Sequence, residues 1–239
     1  MHQPENQPAG IEIALWQYSK HEGDWNRWMQ SLSPDERERA ATYLFDRDRA
    51  SFVAGRYLLR RLLSMETGTP PAKLLLSPDN HGKLRLEGHE RPQFSLANAD
   101  GLVAAAVASG CDHLGIDCER ADIEIEAAAV DSYCSADERR WLAELPASER
   151  KRAAVALWTL KESHLKALGV GLREDPRNVA FSWKDGIPVM VDGSDRDWRW
   201  HHRLVESSSQ HVVALAVCCQ SGFPGISTRL FQDDIMPSE

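Results

Sequence analysis

The sequence predicts an α+β protein made of two similar α+β halves, and three observations predict it. The pentapeptide Ser33-Pro34-Asp35-Glu36-Arg37 recurs as Ser135-Ala136-Asp137-Glu138-Arg139, about a hundred positions later. In each half a helical pattern comes first and short strand-like runs follow, the order of an α+β unit rather than an alternating α/β one. The length of 239 residues, with 42% hydrophobic and 27% charged side chains, suits one large domain or two small ones around a sizeable core. We place the halves at 1–110 and 111–239. No linker rich in Pro, Gly or Ser separates them, so they read as one compact unit. Chance recurrence of a helix-start signal would explain the pentapeptide alone, but not the matched order of elements.

Ile11 to Trp16 alternates apolar and polar residues as a strand does. Ser33, Pro34 and Glu36 stand at the N-cap, N1 and N3 positions of a helix start. Phe52 to Leu63 carries apolar residues at helical spacing, interleaved with Arg56, Arg60 and Arg61. Strand-like runs follow at Lys73 to Leu76, Lys83 to Leu86, Gln93 to Leu96 and Leu102 to Ala108, divided by turn signals. In the second half a long helix is expected from about Glu149 to Leu168, replacing the arginine-bearing one. After it come strand-like runs at Val179 to Trp183, Ile187 to Val191, Trp198 to Val205 and Val212 to Cys218.

Composition narrows the function classes. Twenty-eight basic against 36 acidic residues give a net charge of −8 and a pI near 5.6. A chain so acidic is a poor general binder of nucleic acid or anionic membrane. The longest apolar runs fall far short of the ~20 residues a membrane span needs, and Met1 to Gly10 has no signal-peptide core. Five cysteines form no C-x-x-C pair, which argues against a disulfide framework or zinc site and suits a reducing cytoplasm. His201-His202 is expected on a solvated strand, and Cys218-Cys219 in packing at a strand end.

Two segments carry chemistry. In Gly115-Ile116-Asp117-Cys118-Glu119, a strand projects Asp117 and Glu119 to one face and Cys118 to the other. Adjacent carboxylates repel, and a hard divalent ion such as Mg²⁺ or Mn²⁺ would relieve them. A strand running out into a solvated polar turn would look the same. In Trp158-Thr159-Leu160-Lys161-Glu162-Ser163-His164-Leu165-Lys166, a helix puts Trp158, Leu165 and Leu168 on an apolar face and Glu162 and Lys166 on a second. That pair also reads as an ordinary surface ion pair worth a few tenths of a kcal/mol. Taken together, Asp117, Glu119, Glu162 and Lys166 make up a kit for phosphoryl transfer.

Gly-Ile-Asp-x-Glu, followed about forty residues later by Trp-Thr-Leu-Lys-Glu-Ser-x-x-Lys, resembles the surfactin-synthetase type of 4′-phosphopantetheinyl transferase, over roughly Ser31 to Cys219. The resemblance implies a pseudo-twofold fold with coenzyme A in the cleft between halves. It implies a monomeric, cytoplasmic enzyme of secondary-metabolite or siderophore synthesis. That enzyme would move the phosphopantetheine arm to a serine of an apo acyl or peptidyl carrier protein and release 3′,5′-ADP. By the same resemblance Asp117, Glu119 and Glu162 are the Mg²⁺ ligands and Lys166 neutralises the transferring phosphate. Glu138 matches a glutamate that helps deprotonate the carrier serine, although Ser135 and Glu138 also form a capping box. Arg39, Arg49, Arg56 and Lys83 fall where the family places basic residues for the coenzyme's phosphates. Asn98 stands where the family has a phosphate-binding histidine, and it can donate a hydrogen bond but carry no charge. That departure leaves open a coenzyme A-binding module with reduced or lost transfer.

Overall fold

The computed structural model describes residues 10–18, 25–191, 200–205, 210–220, 222 and 224–231. The first half opens with strand β1 (Ile11–Gln17), then helices α1 (Trp25–Gln30), α2 (Pro34–Ala41) and α3 (Asp46–Thr67) and a 3₁₀ turn (Pro71–Lys73). Strand pairs β2 (Leu76–Pro78) with β3 (Leu84–Leu86) and β4 (Gln93–Ala99) with β5 (Leu102–Ala108) complete it. The second half repeats the plan with β6 (His113–Arg120), α4 (Ala127–Tyr133), α5 (Ala136–Glu144) and α6 (Ala147–Leu168). Two 3₁₀ turns (Gly171–Arg173, Pro176–Asn178) lead into β7 (Ala180–Lys184) with β8 (Ile187–Val191), and β9 (Trp200–Val205) with β10 (His211–Cys218). The α+β class and the paired halves are therefore as the sequence reads.

The equivalence extends to detail. Ser33–Glu36 and Ser135–Glu138 each form a reciprocal capping box. Helices α3 and α6 both run for 22 residues and stop on a left-handed glycine, Gly68 at φ 71° and Gly169 at φ 75°. Only glycine adopts that φ without strain, so each helix ends at the same step.

The strands, with β11 (Ile226–Phe231) the last of them, form two principal sheets, ordered β11-β1-β5-β4 and β6-β10-β9. Alternation assigns the faces. Ala14, Trp16, Val103, Ala105 and Val107 pack against the first half's helices, whereas Ile13, Leu15, Ala104 and Ala106 face Leu114, Ile116, Cys118, Val213 and Leu215 of the other sheet. On the far side, Ala214 joins Leu157, Leu160 and Leu165 of α6. The order of layers is helices, sheet, sheet, helices. Strand β11, which the sequence reading did not foresee, runs parallel to β1 on the first half's sheet, pairing Ile11 with Ile226 and Leu15 with Leu230.

Two expectations, on Lys73 to Leu76 and on His202, need correction. The run Lys73 to Leu76 is mostly turn, because Pro70 and Pro71 start a 3₁₀ turn and pairing begins at Leu76. The short helices α1 and α4 were not read from the sequence. His202 is buried rather than solvated, with its Nε2 3.1 Å from His164 Nδ1. Burial holds His202 well below the usual histidine range, and holds His164 down at about 4, so both rings stay neutral near pH 7. Trp198, placed at the start of the predicted strand, lies outside the described residues. All five cysteines are free and buried, and among the described residues no helix is long and apolar enough to cross a membrane.

A buried side chain on β4 ties the two sheets together. Ser95 of β4 accepts a bond from the Ile116 amide of β6 at 3.0 Å, both groups being buried. Ser95→Ala would leave that amide without a partner, at a cost of about 1–3 kcal/mol. The expected outcome in urea unfolding is a lower midpoint with an unchanged slope.

Candidate active site

The site is set by how closely α6 lies on β6. Leu114, Ile116 and Cys118 enter the core between the sheets, so Gly115, Asp117 and Glu119 face α6. A methyl on Gly115 would come within 1.9 Å of the Ser163 carbonyl oxygen and 2.5 Å of the Ala167 amide nitrogen, both helix backbone. Glycine is required here for space, not for its dihedral freedom. The contact brings Trp158, Glu162 and Lys166, spaced at four-residue intervals on one face of α6, over the acidic face of β6.

Lys166 Nζ donates to Asp117 Oδ1 at 2.6 Å, and Trp158 Nε1 donates to Glu119 Oε1 at 3.3 Å. Asp117 Oδ2 and Glu162 Oε1 are buried without a hydrogen-bond partner. Burial raises the Asp117 pKa in spite of the Lys166 ammonium. Burial, and after it the Asp117 charge, raises both Glu119 and Glu162. Burial opposes the charge on Lys166, yet Asp117 and Glu162 together hold its pKa above the usual lysine value.

This environment can take a cation. Among the described residues no three carboxylate, histidine or cysteine side chains are gathered closely enough to hold a metal ion as they stand. Asp117 instead satisfies one oxygen with Lys166. The donor chemistry nonetheless fits a hard divalent ion, since all the candidate ligands are carboxylate oxygens and two are buried without a partner.

A cavity of about 320 Å³ lies between the halves, with Arg56 and Leu59 of α3, Lys83 and the β4 residues Phe94 and Leu96 on one side and Lys166 and Gly169 on the other. Arg56 reaches toward Glu36 Oε1 at 3.6 Å, and its Nη1 is buried with no hydrogen-bond partner. Lys83 crosses to the second half, where its Nζ donates to the Ala167 carbonyl at 2.8 Å and the Leu114 carbonyl at 3.4 Å. Burial, then the charge of Arg85, lowers its pKa to about 8.

The structure divides the residues nominated from sequence. Asp117, Glu119, Glu162 and Lys166 come together, and Arg56 and Lys83 join Lys166 around the cavity. Asn98 lines a different recess with Tyr18, Arg47 and Ser51, and donates to the Ser51 carbonyl at 3.0 Å. Arg39 and Arg49 line neither space: Arg39 lies over the Phe52 ring, and Arg49 pairs with Asp46 at the surface. Glu138 is a correction. It is buried, with Oε2 accepting from the Ser135 amide at 2.7 Å and lying 2.9 Å from Lys161 Nζ, and Oε1 accepting from the Phe181 amide at 2.8 Å. With both oxygens engaged it is not placed to take a proton. Leu168, expected on the apolar face, is exposed, whereas Trp158 does pack with Leu165 against that apolar cluster and its indole N–H also reaches Glu119. For that reach, the four-residue spacing of Trp158 from Glu162 was the available signal.

The pattern of the 4′-phosphopantetheinyl transferase superfamily matches residues 113–217, and that of the 4′-phosphopantetheinyl transferase N-terminal region matches residues 14–107. The chain belongs to the 4′-phosphopantetheinyl transferase superfamily. It is similar to the L-aminoadipate-semialdehyde dehydrogenase-phosphopantetheinyl transferase of Xenopus laevis, at 23% identity over 82% of this chain and 71% of that one. The 4′-phosphopantetheinyl transferase HetI of Nostoc sp. is 29% identical over 67% of this chain and 70% of its own. The 4′-phosphopantetheinyl transferase of Bacillus subtilis is 21% identical over 88% and 93%. For this transferase, Gly115→Ala is expected to push α6 off β6, since helix backbone cannot yield as a side chain can. The measurable outcome is a cost of about 2–4 kcal/mol in urea unfolding, in the range of overpacked cores and larger.

Proposed function

We propose that the chain moves the 4′-phosphopantetheine arm of coenzyme A onto a serine hydroxyl of an apo acyl or peptidyl carrier protein and releases 3′,5′-ADP. The observation that carries this reading is the meeting of three carboxylates and Lys166 from two elements at the rim of a cation-lined cleft between the halves. In the reaction the serine oxygen bonds to the phosphorus next to pantetheine. The bond from that phosphorus to the bridging oxygen breaks, and 3′,5′-ADP leaves with the electron pair.

Asp117, Glu119 and Glu162 would hold Mg²⁺, which when bound supplies charge neutralisation on the coenzyme's pyrophosphate. Glu162 has a buried oxygen without a protein partner, which leaves it an oxygen for the serine hydroxyl beside the one that would hold the metal. Lys166 is held charged and lines the cleft, so it can leave Asp117 for a phosphate oxygen. Arg56 offers the cleft an unused N–H donor, and Lys83 offers a second positive charge. Asp117 is buried and the other groups are partly buried, which strengthens each charge contact over its value in water.

The test is incubation with coenzyme A, Mg²⁺ and a panel of apo carrier proteins, read as a mass gain of roughly 340 Da for the transferred arm. Binding of coenzyme A with no mass gain on any carrier would support the binding module instead. Asp117→Asn should lower transfer by a factor of about a thousand or more. Its melting temperature should stay level or rise, because a raised folded-state pKa means that the charged form opposes folding. Loss of the fold would make Asp117 structural and weaken the metal assignment.

Lys83 gives a pH dependence. As pH rises through about 8, its ammonium is lost and the cleft loses a positive charge facing the coenzyme. The expected result is a fall in kcat/KM for coenzyme A above that pH. Lys83→Met should flatten that limb and lower the plateau, and an unchanged limb would remove Lys83 from coenzyme recognition.

A further inference from the structure

Glu138 and Lys161 form a buried ion pair of which neither side chain is more than 1% exposed. Lys161 Nζ also donates to the carbonyls of Pro176, at 3.1 Å, and Val179. One ammonium thus ties α6 to the capping box of α5 and to the 3₁₀ turn that precedes β7. The first half contains the same device. Arg60 Nε donates to Glu36 Oε2 at 2.6 Å, and Arg60 Nη1 donates to the carbonyls of Pro71 at 2.6 Å and Leu74 at 3.0 Å. Glu36 is the capping-box glutamate of α2, and Pro71 opens the equivalent 3₁₀ turn. Arg60 and Lys161 stand eight positions before Gly68 and Gly169, which cap α3 and α6.

We infer that Lys161, with Glu138, is a positioning residue that fixes the rotation of α6 about its axis and so aims Glu162 and Lys166 at β6. A position eight residues before the cap and the next one along point about 100° apart on a helix. Lys161 therefore reaches back toward α5 and β7 while Glu162 turns toward Asp117. Removal of the anchor leaves Gly115 packing as the main constraint on that angle. A buried, fully bonded pair repeated in a half without the acidic cluster belongs to the scaffold. The second half has placed its chemistry on the residue next to the anchor. This assignment rests on the transfer reaction proposed above, and its stability arm does not.

The experiment compares Lys161→Met, Lys161→Arg, Glu138→Gln and the double variant Glu138→Gln/Lys161→Met with the wild-type chain. Melting temperature, kcat, KM for coenzyme A and the pH profile are measured for each, with assays run well below the lowest melting point. Lys161→Met should lower kcat by about ten-fold or more with KM for coenzyme A nearly unchanged, as misaimed groups do. Lys161→Arg should restore most of it, because Arg60 already fills the equivalent place. Glu138→Gln should lower kcat without moving the acid limb of the pH profile. The double variant should be no worse than the weaker single one, since the two residues act as a unit.

A normal kcat in folded Lys161→Met would overturn the inference, and so would an acid limb that shifts or vanishes in Glu138→Gln. If the wild-type chain transfers no arm to any carrier, the functional reading fails. The non-additive melting temperatures would still show the anchor, and additive ones would remove it.

Discussion

The whole site depends on one steric constraint, the contact of α6 backbone with the bare Cα of Gly115. Two elements that each carry ordinary charged residues become a site only because nothing stands between them. At a wider helix-on-sheet spacing, the carboxylates of β6 would not share a low-dielectric space with Glu162. Each would be solvated separately, with little reason for a perturbed pKa. The close approach produces the opposite condition, in which Asp117 raises the pKa of both neighbours and two oxygens are left without partners. The electrostatic strain follows from the steric fit.

The internal repeat shows what had to change to make a site. Counted back from their glycine caps, α3 has Arg61 and Met65 where α6 has Glu162 and Lys166. On the helix-facing side, β1 carries Ala14 and Trp16, and β6 carries Gly115, Asp117 and Glu119. Trp16 fills the space beneath the helices with a large side chain and packs edge-on to Trp28 at 4.6 Å. At the interface between β1 and the helices, the first half is thus filled with apolar side chains. The second replaces bulk at the same interface with a glycine and two acids.

Much of this was legible because it is local. Capping boxes, the two long helices and the alternation of β6 are short-range patterns, and they gave the paired halves and the acidic face of β6. What was missed depends on distant partners. Nothing in Ile226–Phe231 says that it pairs in parallel with β1, more than two hundred residues away. His201-His202 has the alternation of a half-exposed strand, and only the arrival of His164 shows which ring is inside. Glu138 was ambiguous for the same reason. A capping box and a general base share one sequence signature, and the Lys161 ammonium that separates them comes from another helix. The basic residues divided likewise. Arg56, 12% exposed beside Glu36, faces the cleft, whereas Arg39 on α2 and Arg49 earlier on α3 meet Phe52 and Asp46 instead.

The chain is acidic overall, yet the cleft is built from cations, and the two facts are compatible because the cations are placed by backbone rather than by surface charge. Lys83 sits on a turn held by Asp79, whose Oδ1 accepts the amides of His81 and Lys83 at 2.9 and 3.0 Å, and its ammonium reaches the end of α6. Lys166 is one turn from that helix end, where the carbonyl dipoles favour positive charge. Arg56 is fixed between Glu36 and the Phe52 ring. Each cation is thus held by a local partner, and the three meet only because the halves do. A surface patch would be screened within about 8 Å at physiological salt, but charges recessed in a cleft between the halves are screened much less. The fold therefore gathers three cations at one cleft without altering the sign of the molecule, and it does so with the same close packing that brings the carboxylates together beside Lys166.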